Sequence, residues 1–309
     1  MKTIGHVAHA RRHVTDVRAI AWSYFRLTKP RIVLLLLITT VPSMMLAARG
    51  LPSVWLMAAT LLGGTALAGG ANAINQYIER DIDRVMSRTR HRPLPARLIE
   101  PKRALAFGLV LGGLGFAWLT VTVNLLAALL ALSAFAFYVL VYTAWLKPTS
   151  PQNIVIGGAA GAVPVLVGWA AVTGTVALPA VVLFAVIFLW TPPHFWALAL
   201  RYERDYSAAG IPMLPVVAGR DETTKPILRY SIVLVVTTVA LYPIARMGAI
   251  YGAAALVLGI FFVGRALQLR AGGSVPAAIR LFRFSIVYLA LLFGAVALDV
   301  VFPIRWPSL

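Results

Sequence analysis

The chain has 309 residues, 60% of them hydrophobic and 12% charged, with a net charge of +18 and no cysteine. That balance leaves too little polar surface for soluble domains of this size, and the absence of thiols excludes disulfides, thiolate catalysis and thiolate metal ligation. A membrane barrel is excluded too, because barrel strands alternate polar with apolar side chains whereas Leu125 to Tyr142 is apolar on every face.

What remains is an all-α polytopic membrane protein. Asp, Glu, Lys and Arg are absent from the 43 residues between Arg103 and Lys147 and from the 53 between Lys147 and Arg201, and each gap accommodates two spans of about 20 residues. Along the chain, residues 1–31 form a basic N-terminal segment with seven Lys or Arg and no short apolar core before a small-residue cleavage site, so they do not read as a signal peptide. Hydropathy then places nine spans near Ile32–Ala48, Val54–Asn75, Ala104–Val121, Leu125–Trp145, Ile154–Val172, Leu178–Leu200, Ser231–Ala245, Ala249–Gly264 and Phe284–Phe302. Residues 32–303 thus form one transmembrane domain, followed by a short tail at 304–309.

Of the 28 basic residues, 25 fall on the N-terminal side of this topology, leaving only Arg49, Arg246 and Arg305 opposite. The positive-inside rule therefore puts the N-terminus and the even-to-odd loops in the cytoplasm and the C-terminus outside, most simply across the plasma membrane. Topology accounts for the positive charge, so no nucleic-acid partner is expected beside the lipid bilayer. Nine of ten acidic residues share the cytoplasmic face, the exception being Asp299. Polar chemistry concentrates in the loops 79–103 and 201–229, each after the second helix of a four-helix block, which suggests a pseudo-repeat of helices 1–4 and 5–8 with a ninth added.

In the first loop, Asn75, Glu79 and Asp83 are spaced by four, which keeps three oxygen donors within a stripe of roughly 80° on a helix. Such a stripe suits a hard divalent cation carrying a diphosphate, or is a solvated acidic helix end. Removing either carboxylate from an exposed helix end is expected to cost activity but not folding. Arg84, Arg88, Arg90, Arg92 and Arg97 follow, either as guanidinium donors to phosphate or as plain cytoplasmic charge. Tyr142 and Lys147 close the fourth span, where Lys147 serves as an interfacial anchor or as a phosphate ligand across from Arg88. The small residues from Gly157 to Gly161 permit close packing and are no phosphate loop. Pro192 and Pro193 interrupt helical bonding in the sixth span beside His194, the only histidine inside a span. His194 is either a ligand or proton-transfer group, or a neutral ring satisfying a freed carbonyl. Trp196, Tyr202, Asp205 and Tyr206 complete this second cluster.

The stretch Asn75-x3-Glu79-x3-Asp83 followed by Met86-Ser-Arg-Thr-Arg-His-Arg-Pro-Leu-Pro95 resembles the first signature of UbiA-type intramembrane prenyltransferases. Leu146-Lys147 with Asn153-Ile-Val-Ile-Gly-Gly158, Trp190-Thr-Pro-Pro-His-Phe-Trp-Ala-Leu-Ala199, and Asp205-Tyr-x3-Gly210-Ile-Pro-Met-Leu-Pro215 are similar to the heme-farnesylating branch of that family, and the likeness runs from Leu27 to the last helix. The resemblance implies nine helices around a lateral cavity, farnesyl diphosphate held by Mg²⁺ at its cytoplasmic mouth, and heme b as acceptor. By the same likeness Asn75, Glu79, Asp83 and Asp205 are catalytic metal ligands, Arg88, Arg92, Tyr142 and Lys147 face the diphosphate, and His194, Trp196 and Tyr206 face the heme. A downstream heme-modifying membrane enzyme is an implied partner. Two departures stand out: Asp205 lies alone where the wider family has a second Asp-x3-Asp motif, and Pro148 replaces the basic residue that commonly follows Lys147. Against this stand a quinone-type prenyltransferase, which has no reason to carry Trp190-Thr-Pro-Pro-His194, and a secondary transporter, whose polar groups belong near the bilayer midplane.

Overall fold

The computed structural model describes residues 17–304. The remaining parts of the basic N-terminal segment and of the short tail, Arg305 included, lie outside the described residues. Among the described residues there is no strand, and nine helical stretches are long and apolar enough to cross a membrane.

A short helix, α1 (Val17–Leu27), precedes the first span and was not anticipated from the sequence. The spans follow as α2 (Pro30–Ala48), α3 (Val54–Val85), α4 (Pro101–Thr122), and α5 (Leu125–Ala136), which continues through a π-helical stretch at Phe137–Leu146 into α6 (Lys147–Thr149). The second half comprises α7 (Asn153–Thr173), α8 (Leu178–Arg201), the short α9 (Glu203–Ala208), α10 (Leu214–Ile244), α11 (Ala249–Gly272) and α12 (Val275–Val301).

Three differences from the hydropathy reading bear on the site. First, α3 runs 32 residues, ten beyond the expected end at Asn75. At 1.5 Å per residue it is about 48 Å long, against roughly 30 Å of hydrocarbon. Its last turns, carrying Glu79 and Asp83, therefore extend past the apolar layer. Second, α8 stays continuous through Pro192 and Pro193. The loss of two backbone donors is tolerated because this stretch is packed inside protein, where Trp190 Nε1 donates to Ser285 O at 2.8 Å. Third, α10 begins 17 residues before the expected start at Ser231, and Gly219 (φ 78°, ψ 176°) breaks it near its N-terminal end.

Close helix approach fixes the first half. A Cβ on Gly70 would come within 2.6 Å of Gly108 O on α4, so the two backbones touch where no larger side chain fits. At the far end Asp299 is 4% exposed and accepts from the backbone N–H of Gly248 (2.6 Å) and Tyr251 (3.1 Å). It thereby satisfies the start of α11 from a neighbouring helix.

Candidate active site

The end of α3 is anchored against the α1–α2 junction by two side chains reaching backbone carbonyls: Asn72 Nδ2 to Thr28 O at 3.0 Å and Gln76 Nε2 to Leu27 O at 2.8 Å. These contacts hold Lys29 in a left-handed conformation (φ 51°) with its Nζ 2.6 Å from Asn75 Oδ1. One turn on, Glu79 pairs with Lys147 at 2.5 Å; two turns on, Asp83 accepts two bonds from Arg92 Nη1 at 2.8 and 3.0 Å. The stripe read from the spacing exists, and each member holds a different cation.

Its setting differs from the expectation. Glu79 and Asp83 are 3% and 1% exposed, so they are not a solvated helix end. Buried carboxylates need compensating charge, and Lys147 and Arg92 supply it. Lys147 thus faces Glu79. Burial pushes the Lys29 ammonium down from 10.5 to about 7, with Arg92 acting the same way and Glu79 opposing.

A cavity of about 430 Å³ opens from this charged end into the bundle. Lys29, Asn75, Glu79, Arg88, Arg92 and Lys147 line its polar end, Tyr138, Tyr142 and Tyr206 its neck, and Trp190 and His194 a wall further in. The π-helical stretch shapes the neck. Within it Tyr138 stacks on Tyr142 at 5.5 Å, as residues four apart do on a helix, and Thr143 Oγ1 lies 3.0 Å from Asn75 Nδ2. A Cβ on Gly157 would collide with the Tyr142 ring, so this glycine is needed for close approach.

Arg88 has its guanidinium 5.7 Å from the centre of the Tyr202 ring, and its buried Nε has no hydrogen-bond partner among the described residues. An orphaned cationic donor in a cavity wall fits an anionic ligand. Asp205 lies outside the cavity lining, tied to the first loop by Ser87 Oγ at 2.6 Å. Trp196 is turned from the cavity, edge-on to Tyr230 at 5.6 Å.

His194 is buried, stacked on Trp190 at 4.2 Å and against Phe282 at 4.6 Å. Its Nδ1 lies 2.6 Å from Ser285 Oγ, whose own hydrogen goes to Phe282 O at 2.7 Å. A hydroxyl has one hydrogen, so His194 Nδ1–H is the donor and Nε2 carries the lone pair. Ser285 and Tyr138 gave no sequence signal. Lys29 lies inside the motif Leu27-Thr-Lys-Pro-Arg31, whose residue types alone point to no role for it.

Among the described residues, no three of His, Asp and Glu gather as a preformed metal cage. The donor set nonetheless fits a hard divalent cation, since Asn75, Glu79 and Asp83 offer only oxygen, with phosphate-type partners opposite.

Comparison with known proteins establishes the family. The pattern of the UbiA prenyltransferase family matches residues 36–298. The chain belongs to that family. It is 54% identical over 280 residues to a protein from Parafrankia sp. (strain EAN1pec) named protoheme IX farnesyltransferase, with 90% of each chain covered. Among solved structures, a digeranylgeranylglyceryl phosphate synthase shares the UbiA fold with a TM-score of 0.77 at 18% identity, over 91% of this chain and 99% of the other. A UbiA homolog from Archaeoglobus fulgidus bound to GPP and Mg²⁺ gives a TM-score of 0.62 at 18% identity, over 89% and 99%.

Proposed function

We propose that the protein transfers the farnesyl group of farnesyl diphosphate to a vinyl group of heme b, releasing diphosphate and forming the hydroxyethylfarnesyl porphyrin, heme o. The observation that carries this reading is one cavity joining a polar end of four basic side chains to a wall holding a histidine with a free Nε2. The relatives named protoheme IX farnesyltransferase support it.

Lys29, Arg88, Arg92 and Lys147 take up the charge of the leaving diphosphate as the bond from farnesyl C1 to oxygen breaks. Asn75, Glu79 and Asp83 would hold a Mg²⁺ ion, with Asp205 reaching it only after leaving Ser87, and a bound Mg²⁺ would supply Lewis-acid neutralisation of the same charge. With the stripe's oxygens engaged in that way, Lys29, Lys147 and Arg92 would turn from Asn75, Glu79 and Asp83 toward the diphosphate before the bond breaks. The faces of Tyr138 and Tyr142 stabilise the allylic cation, and the apolar cavity keeps bulk water from it. The terminal vinyl carbon bonds to farnesyl C1, the adjacent carbon takes a water oxygen, and one proton leaves. His194, with Nδ1–H fixed on Ser285, presents Nε2 as an iron ligand rather than as a hydrogen-bond donor. In this reading the N-terminus and the catalytic loops are cytoplasmic, the C-terminus lies outside the plasma membrane, and a heme-modifying membrane enzyme receives the product.

The test is incubation of the purified protein with heme b, farnesyl diphosphate and Mg²⁺, followed by mass spectrometry of the porphyrin. A gain of one farnesyl group plus one hydroxyl group is expected. Unmodified porphyrin, together with prenylation of an aromatic quinone precursor, would transfer the protein to the quinone branch.

A further inference from the structure

A second, smaller pocket of about 210 Å³ lies between α8 and α12, lined by Ala197, Leu198, Arg201, Ile279, Phe282 and Arg283, with Tyr202 at its edge. On α8, His194, Ala197, Leu198 and Arg201 are spaced 0, 3, 4 and 7, which makes them one stripe of the helix. That stripe descends about 10 Å from His194 to the membrane surface. On α12, Ile279, Phe282 and Arg283 repeat the same spacing and face it.

The lining combines an apolar body with two guanidinium heads, and it includes no carboxylate. Neither arginine has an ion-pair or hydrogen-bond partner among the described residues; the Arg201 guanidinium lies 5.5 Å from the centre of the Tyr202 ring. The chemistry is that of a site for an amphipathic anion with oxygen acceptors at one edge. Phe282 joins this pocket to the main site, since the same ring lines the pocket and packs against His194 at 4.6 Å. The main cavity is the size of a single ligand site. A farnesyl chain and a porphyrin together need more room than that.

We propose that Arg201 and Arg283 bind the two propionate carboxylates of the porphyrin acceptor, which lies along the α8–α12 seam with Phe282 displaced from beside His194. The vinyl edge of the macrocycle then points away from the arginines, toward the cavity that holds the prenyl group. This inference rests on heme being the acceptor. The same pair of arginines would also suit the phosphate of an anionic phospholipid, and the experiment separates the two sources.

Purified wild-type protein and the Arg201→Gln/Arg283→Gln variant are titrated with heme b and with heme dimethyl ester, whose propionates carry no charge, and binding is followed in the Soret band. The wild type is expected to prefer heme b by about tenfold or more. The variant should lose that preference and keep wild-type affinity for a non-hydrolysable farnesyl diphosphate analogue. A preference retained in the variant, or absent from the wild type, overturns the proposal while leaving heme as the acceptor. If the wild type binds neither porphyrin, the acceptor assignment falls and this proposal with it. In a parallel arm, native mass spectrometry counts co-purified phosphatidylglycerol. Lipid lost from the variant with its heme preference unchanged assigns the arginines to a lipid phosphate and overturns the propionate reading.

Discussion

The Glu79–Lys147 pair offers a test in which stability and catalysis respond differently. Glu79 has a side-chain exposure of 3% and Lys147 of 15%, with 2.5 Å between their charged atoms. Glu79→Gln keeps the volume and one acceptor but leaves the Lys147 ammonium buried without a counter-charge. Removing one partner of a buried pair costs about 3–5 kcal/mol. The remaining hydrogen bond to Gln returns about 1 kcal/mol, and the partial exposure of Lys147 favours the low end, so a loss of about 2 kcal/mol is expected. Adding Lys147→Met removes the stranded charge and should restore stability to within about 1 kcal/mol of wild type, because apolar replacement of a whole buried pair is often neutral. Turnover should be lost in both variants, since each lacks a carboxylate charge at the stripe and the double variant also lacks a cation that the proposed mechanism assigns to the diphosphate. The assay is thermal unfolding of the purified protein in detergent beside product formation from heme b and farnesyl diphosphate. If Glu79→Gln unfolds with the wild type, or the double variant stays destabilised, the pair is not the buried contact described above. If the double variant turns over, neither residue belongs to the machinery.

Three further outcomes are expected. Asp83→Asn should abolish turnover and lower affinity for a farnesyl diphosphate analogue, measured by calorimetry with and without Mg²⁺; unchanged Mg²⁺-dependent binding would remove Asp83 from the metal set. Gly157→Ala should displace the Tyr142 ring and reduce kcat at least tenfold, about 1.4 kcal/mol or more of barrier, with heme affinity unchanged, which a comparison of steady-state rates and Soret titrations checks. Asp299→Ala leaves two buried N–H groups at the start of α11 unpaired, so it should lower stability by about 3 kcal/mol while the folded fraction keeps its kcat; a loss of kcat would connect the far end of the bundle to the chemistry.

The bundle was legible in the sequence because a bilayer imposes a single requirement on every span. About 20 apolar residues must run without charge, and the gaps on either side of Lys147 meet it whatever the helices pack against. The spacing of Asn75, Glu79 and Asp83 was legible for a similar reason, since a period of 3.6 fixes which side chains share a helix face. Tertiary structure decided what that face meets. Asp83 is buried because Arg92 folds back on it, and Lys29 reaches Asn75 because Asn72 and Gln76 hold a backbone 44 to 50 residues away. No local pattern encodes either event. The π-helical turn that sets Thr143 against Asn75 is likewise invisible in an all-apolar run, where every periodicity looks alike. Ser285 fixes the His194 tautomer from 91 residues away. Composition and period determine which segments are helical and where they cross the membrane, because those depend on solvent and local geometry. Which charge neutralises which, and which nitrogen is left free, depend on contacts between distant residues that exist only once the helices have packed.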